Sequence, residues 1–170
     1  PRSTHCISSA ASDVYKRQLC DLLIEEKLEV SMINFYGCEE DVKYVMKHPL
    51  QMVCTDGLLP AKPHPRVYGT YPRIPGRYVR ERKTLTFQEA IRKMTSFPAQ
   101  RLGLKDRGLI KEGYYADITI FNPTTVIDKA TYQNPRVYPE GIDYTIVNGD
   151  IVNENGRHTG KFPGKVLRKI

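Results

Sequence analysis

Residues 50–81, LQMVCTDGLLPAKPHPRVYGTYPRIPGRYVRE, decide how this chain is read. The run opens on Leu50–Thr55, LQMVCT, an apolar stretch with the length of a buried strand. Asp56-Gly57 then breaks it. Pro60, Pro63, Pro65, Pro72 and Pro75, with Gly57, Gly69 and Gly76, punctuate the rest of the run and predict a long loop from Asp56 to about Thr84. Loops of this length inside compact domains are usually functional or disordered, and the arginines and tyrosines here argue against simple disorder. The loop leaves the C-terminal end of a strand, where α/β folds place their chemistry.

Upstream, Leu19–Glu29 has a helical apolar stripe and Glu29–Tyr36, EVSMINFY, reads as a strand. Glu39–Lys47 is a short helix with Val42, Val45 and Met46 on one face, acids in its first turn, and His48-Pro49 as its stop. Helix, strand, helix, strand at this spacing predicts βαβ units and a parallel sheet. Downstream, Thr86-Phe87-Gln88-Glu89 is a capping box, and Phe87, Ala90, Ile91 and Met94 line one helical face. Ser96 is the expected N-cap of a second short helix that ends at Leu102-Gly103. From Gly113 the period changes to two. Ala116–Asn122, Tyr144–Asn148 and Asp150–Asn153 read as strands, the last two joined by an Asn148-Gly149 hairpin turn. The chain thus divides into 1–18, 19–112 and 113–170, an α/β part followed by a small β-layer.

Composition bounds the function. Apolar residues make up 40% and charged residues 26% of the 170, as in a soluble globular chain. The net charge of +7 is spread along the sequence, without the basic stripe and interleaved aromatics that nucleic-acid binding needs. No apolar run is long enough to cross a bilayer. The length also excludes a complete (β/α)8 barrel, which needs roughly 200–250 residues or more. Cys6, Cys20, Cys38 and Cys54 form no C-x-x-C pair, so zinc-ribbon and thioredoxin-like readings lack their spacing. Reduced, mostly buried thiols and a cytoplasmic location are expected. Pro1–Gln18, PRSTHCISSAASDVYKRQ, has no hydrophobic periodicity and reads as translated adapter sequence or a flexible tail.

The residues that can carry chemistry cluster after Thr55. Asp56 is a carboxylate at a sheet edge, suited to general-base or metal duty, and equally to capping a turn. Arg66 offers a planar fork for a substrate carboxylate, or a surface ion pair. His64, Tyr68 and Thr70 flank it and can wall a pocket or simply pack the loop. His48 is expected to close its helix, and His158 to sit in a Gly-rich loop. The chain has no H-x-H and no H-E-x-x-H, hence no complete metal site of its own.

The stretch CTDGLLPAKPHPRVYGTYPRIPGRYVRE resembles the segment after the eighth strand of N-acyl-D-amino-acid deacylases (D-aminoacylases), in the amidohydrolase superfamily. The resemblance extends through TFQEAIRKMTSFPAQRLGLKDRGLIKEGYYADITIFNP, ATYQNPRVYPEGIDYTIVNG and TGKFPGKVLRK, and back through SMINFYGCEEDVKYVMKHPLQMVCTDG, covering about residue 19 to the C-terminus. It implies the C-terminal part of a metal-dependent (β/α)8 barrel, TIM-type, followed by part of a small β-sandwich. Glu29–Tyr36 and Leu50–Thr55 would be strands seven and eight. The implied reaction is zinc-dependent hydrolysis of an N-acyl-D-amino acid to a carboxylate and a free D-amino acid. Asp56 would take the proton of water and pass it to the leaving amine. Arg66 would hold the substrate carboxylate, with His64, Tyr68 and Thr70 shaping the site. The zinc ligands of the family lie on earlier strands, so no metal ligand is carried over and the chain alone is expected to be inactive and poorly soluble. Another amidohydrolase, acting on a different linear or cyclic amide, and a non-catalytic stand-alone module are the alternatives. The partner is a small molecule, not nucleic acid or a membrane, and oligomeric state is not legible.

Overall fold

The computed structural model describes residues 5–28, 37–59 and 62–168, in two units, Pro1–Gly37 and Cys38–Ile170. In the first, helix α1 spans His5–Glu25 and ends at Lys27 and Leu28, both with positive φ. It runs through the boundary expected at residue 18. Alanine, arginine, lysine and glutamine in VYKRQ and SSAAS carry enough helix propensity to extend the turn upstream of the leucines. The expected strand at Glu29–Tyr36 lies outside the described residues.

The second unit begins with α2, Glu39–Lys47, whose first turn holds Glu39, Glu40 and Asp41 against the helix dipole. His48 closes it: its N–H donates to the Val45 carbonyl, and its Nδ1 accepts from the Leu50 N–H at 3.2 Å. Leu50–Thr55 is not a strand: Leu50 lies in a turn closed by the Gln51 N–H on the His48 carbonyl, and Gln51–Thr55 belongs to no ladder. Its Val53 N–H donates instead to the Lys93 carbonyl, 3.1 Å away. A parallel strand needs neighbouring strands, and among the described residues no parallel pair occurs.

The expected loop is largely helical. Arg66–Arg73 forms α3, and Ile74–Glu81 continues it as a π-helix closed by the Arg82 N–H on the Arg77 carbonyl. Pro72 and Pro75 remove two donors but do not stop the chain, because tertiary contacts hold the turn. Ile74 and Tyr78 are buried with Met46, Val53 and Ala90 in the core. Gly76 lies so close to Val126 and Ile127 that a Cβ would come within 2.6 Å of the Val126 carbonyl oxygen.

Helix α4, Phe87–Met94, starts as read: the Thr86 hydroxyl accepts from the Glu89 N–H at 3.2 Å. The Glu89 carboxylate does not complete the box but pairs with Arg92 at 2.8 Å. Helix α5, Ser96–Leu102, has Thr95 rather than Ser96 before its first turn, with no side-chain cap, and ends at Gly103 in the left-handed region. Thr95 keeps its hydroxyl on the Ile91 carbonyl, so one residue serves both the end of α4 and the start of α5.

Strands β1 (Ile118–Phe121), β2 (Ile142–Val147), β3 (Asp150–Glu154) and β4 (Arg157–His158) form an antiparallel sheet in chain order. Asn148 and Gly149 both have positive φ (49° and 87°), so the hairpin turn is the type expected. A second such turn, Asn155-Gly156, adds β4 and places His158 on a strand. Its ring lies 5.0 Å from that of Phe162. Cys20, Cys38 and Cys54 are free and exposed rather than buried. Met46 and Val53 take the neighbouring core positions, and Cys54, next to Val53, is exposed.

Candidate functional site

Asp56 follows Thr55 with φ of 47°, where the chain turns. Gly57 permits the turn: a Cβ there would meet Thr55 Oγ1 at 3.0 Å and Val67 Cα at 3.3 Å. The turn brings the start of α3 over Thr55. Thr55 Oγ1 donates to the Arg66 carbonyl at 3.0 Å, and Thr70, one helical turn on, donates to the same carbonyl at 2.8 Å. The two hydroxyls are 3.3 Å apart.

This lock sets Arg66 against Asp56. Arg66 Nη2 lies 2.8 Å from Asp56 Oδ2, with the carboxylate 81% exposed and the guanidinium side chain 41%. The pair is open to solvent and therefore exchangeable. Arg66 Nε is buried without a hydrogen-bond partner, so the fork has unused donor capacity.

His64 accepts the Arg66 N–H on Nδ1 at 3.0 Å, and its Nε2 lies 3.0 Å from the Tyr132 hydroxyl. Burial, and then the charge of Arg66, hold the imidazole below its usual proton affinity, which favours the neutral ring that this acceptor role requires. Tyr68 packs edge-on against Tyr138, ring centres 5.4 Å apart. All five residues singled out from the sequence thus fall on one turn-and-helix unit. Asp56, Arg66 and Thr70 share a network through Thr55, His64 touches Arg66 through its backbone, and Tyr68 faces another segment.

Two residues that the sequence did not signal, Asp128 and Lys93, support the unit. Asp128, 6% exposed, receives Arg73 Nη1 on one carboxylate oxygen and Arg77 Nε on the other, both at 2.7 Å. Burial works against the charge of Arg73, but the Asp128 carboxylate and Tyr78 outweigh it and its proton affinity rises. Lys93 is fully buried, and its ammonium donates to the carbonyls of His48 (2.6 Å) and Gln51 (3.0 Å). Burial lowers its proton affinity against the pull of Glu89. Neither contact has a local signature, since partners stand more than forty residues apart.

Among the described residues no three His, Cys, Asp or Glu side chains gather as a metal site. Asp56 faces a guanidinium, not a second metal-binding group. These residues alone therefore do not fit a metal centre. A cavity of about 840 Å³ lies elsewhere, between Tyr71, Pro75, Phe87 and Ile91 on the helices and Ile118 and Phe121 on the sheet. None of Asp56, His64, Arg66, Tyr68 or Thr70 lines it. Its wall is mostly apolar, and charged groups on it are engaged elsewhere, Arg92 by Glu89 and Asp117 by Arg107; the Asp56 turn, with an ion pair open to solvent, is the better candidate for chemistry.

Residues 21–153 match the sequence profile of the amidohydrolase family. The chain belongs to that family. It is 36% identical over 167 residues to an N-acyl-D-glutamate deacylase of Alcaligenes xylosoxydans xylosoxydans, a match that takes in 96% of this chain and 34% of that protein. At 96% the match reaches into residues 1–18. Among solved structures, a D-aminoacylase mutant in complex with copper chloride aligns with a TM-score of 0.76 at 38% identity, covering 78% of this chain and 28% of the other. The N-acyl-D-glutamate deacylase of Bordetella bronchiseptica, complexed with zinc and a phosphonate mimic of the tetrahedral intermediate, aligns with a TM-score of 0.70 at 41% identity, over 78% and 28% of the two chains. This amidohydrolase chain therefore spans about a third of the curated relative that it matches. Among its described residues no helix is long and apolar enough to cross a membrane.

Proposed function

We propose that this chain is the C-terminal part of a zinc-dependent amidohydrolase that cleaves N-acyl-D-amino acids to a carboxylate and a free D-amino acid. Residues 19–112 would contribute the end of a (β/α)8 barrel, with Leu50–Thr55 as its eighth strand, and 113–170 part of a β-sandwich. The metal would be held by residues outside this chain. A cytoplasmic location suits three exposed free cysteines. Exposed apolar side chains such as Tyr44, Leu50, Ile110 and Phe162 suit a piece of a larger enzyme.

The observation that carries the reading is the Asp56–Arg66 pair. A guanidinium fork binds carboxylates in a plane, and here it already holds one, that of Asp56, in a contact open to water. A substrate carboxylate would take over the fork of Arg66 and release Asp56 for proton transfer. In hydrolysis a water oxygen bonds to the acyl carbon. Asp56 accepts the proton of that water and delivers it to the amide nitrogen as the carbon–nitrogen bond breaks. Thr55 and Thr70 hold the backbone of Arg66, and Tyr68 and His64 wall the approach.

In the full-length enzyme, Asp56→Asn should lower kcat by about 10³ and leave folding unchanged. Arg66→Ala should raise KM roughly tenfold with a smaller effect on kcat. Wild-type turnover by Asp56→Asn, or an unchanged KM for Arg66→Ala, would remove the role given to that residue.

A further inference from the structure

We infer that Asp128 and Tyr132, in the segment between β1 and β2, are positioning residues for Arg66, setting how well the site recognises a substrate carboxylate; this rests on the role proposed for Arg66. Three contacts carry it, all from residues 128–138 onto residues 64–77.

The first is the buried carboxylate of Asp128, which takes Arg73 and Arg77 on separate oxygens. The same side chain lies directly under α3: a Cβ on Gly69 would come within 3.1 Å of Asp128 Cβ. Gly69 stands three residues after Arg66, so the helix that presents Arg66 rests on Asp128. The second is Tyr132. His64 Nδ1 accepts the Arg66 N–H, so the neutral ring carries its proton on Nε2 and donates it to the Tyr132 oxygen. Tyr132 thereby fixes the ring orientation that holds the N–H of Arg66. The third is the edge-on contact of Tyr138 with Tyr68.

The segment also sorts the arginines. Arg73 and Arg77 are committed to Asp128, and Arg80 to the carbonyls of Pro123 and Val126. Arg66 pairs instead with the exposed Asp56 carboxylate. A site with one exchangeable guanidinium at a defined height discriminates one carboxylate position. A site with several loose ones would not.

The test uses the full-length, metal-loaded enzyme with two probes, N-acetyl-D-leucine and its α-carboxamide, which lacks the negative charge. The readout is the ratio of kcat/KM values for acid over amide. Asp128→Asn should lower this ratio about tenfold and Tyr132→Phe about threefold, through KM, with the rate on the carboxamide nearly retained. Hydrogen exchange at residues 66–73 should quicken in both variants. Arg66→Ala, measured alongside, tests the underlying reading. If Arg66→Ala collapses the ratio while both variants keep it, the positioning role is overturned and Arg66 stands. If Arg66→Ala keeps the ratio, its carboxylate role falls and this inference with it. Equal losses on both probes are a general structural effect and overturn the inference too. Should Asp128→Asn fail to fold with two stranded guanidinium groups, Tyr132→Phe, which removes one hydroxyl at an exposed position, decides alone.

Discussion

The two arms that deliver Asp56 and Arg66 are held in different ways. The Asp56 arm, residues 49–59, forms no regular element and leaves Leu50, Leu58 and Leu59 exposed; Val53 enters the core, Val53 N–H and the Lys93 ammonium tie it to α4, and Thr55 ties it to the Arg66 carbonyl. The Arg66 arm, residues 66–81, is helical, buries Ile74 and Tyr78, and is anchored on Asp128. The Arg66 arm carries its own support within this chain. The Asp56 arm is held on one side by α4 and on the other, through Thr55, by α3. The Arg66 arm is thus held mainly by one buried carboxylate, and the Asp56 arm by a buried lysine, one core valine and the Thr55 hydroxyl.

The comparison breaks most sharply at Asp128. Asp128→Ala leaves two half-exposed guanidinium groups without their buried partner and should cost about 2 kcal/mol. Urea unfolding measures it, and hydrogen exchange should rise in residues 66–81 while residues 49–55 stay as they were. Equal acceleration in both arms would mean that they are not separately held. Next, Lys93→Met keeps the volume but strands the carbonyls of His48 and Gln51, at about 1–2 kcal/mol. Here exchange should rise at Val53 and not in α3. Thr86→Ala removes the cap of α4, which carries Lys93, and should cost about 1 kcal/mol. If it loosens α3 more than the Asp56 arm, the pairing of α4 with that arm is wrong.

The smallest effect is a pH dependence. Folding lowers the proton affinity of His64, through burial and then Arg66. The unfolded chain, with an ordinary imidazole value of about 6.5, therefore binds more protons in the window below it. The stability contributed by neutral His64 is present above that value and is lost as pH falls through the depressed folded value. His64→Asn should flatten this slope in unfolding midpoints between about pH 7 and 5. An unchanged slope would show that His64 does not contribute to it.

Local chemistry was readable residue by residue. Thr86 caps α4, the acids of Glu39–Asp41 begin α2, Gly103 ends α5 and Asn148-Gly149 turns a hairpin. Each of these needs neighbours within about four residues, so the pattern itself carries the physics. The residues of the candidate site were legible for a related reason: Asp56, His64, Arg66, Tyr68 and Thr70 lie in one short run whose motif resembles a family. The prolines misled. Pro72 and Pro75 signal lost donors, whereas the helical course through them rests on Asp128, Val126 and the core around Ile74 and Tyr78. Lys93, a cation that folding buries completely, carried no signal in the sequence.

By itself the sequence determined helices α2, α4 and α5, the Thr86 cap, the Asn148-Gly149 turn and the family likeness. Those rest on short-range sterics and hydrogen bonding, which act before the chain has a shape. The tertiary structure alone decided that residues 66–81 are helical, that Arg73 and Arg77 are spent on Asp128 while Arg66 is left with an exposed partner, and that Tyr132 reaches His64. The Asp128 and Tyr132 contacts join residues fifty or more positions apart, and the energy of the Asp128 pairs arises only when burial makes an unpaired charge costly.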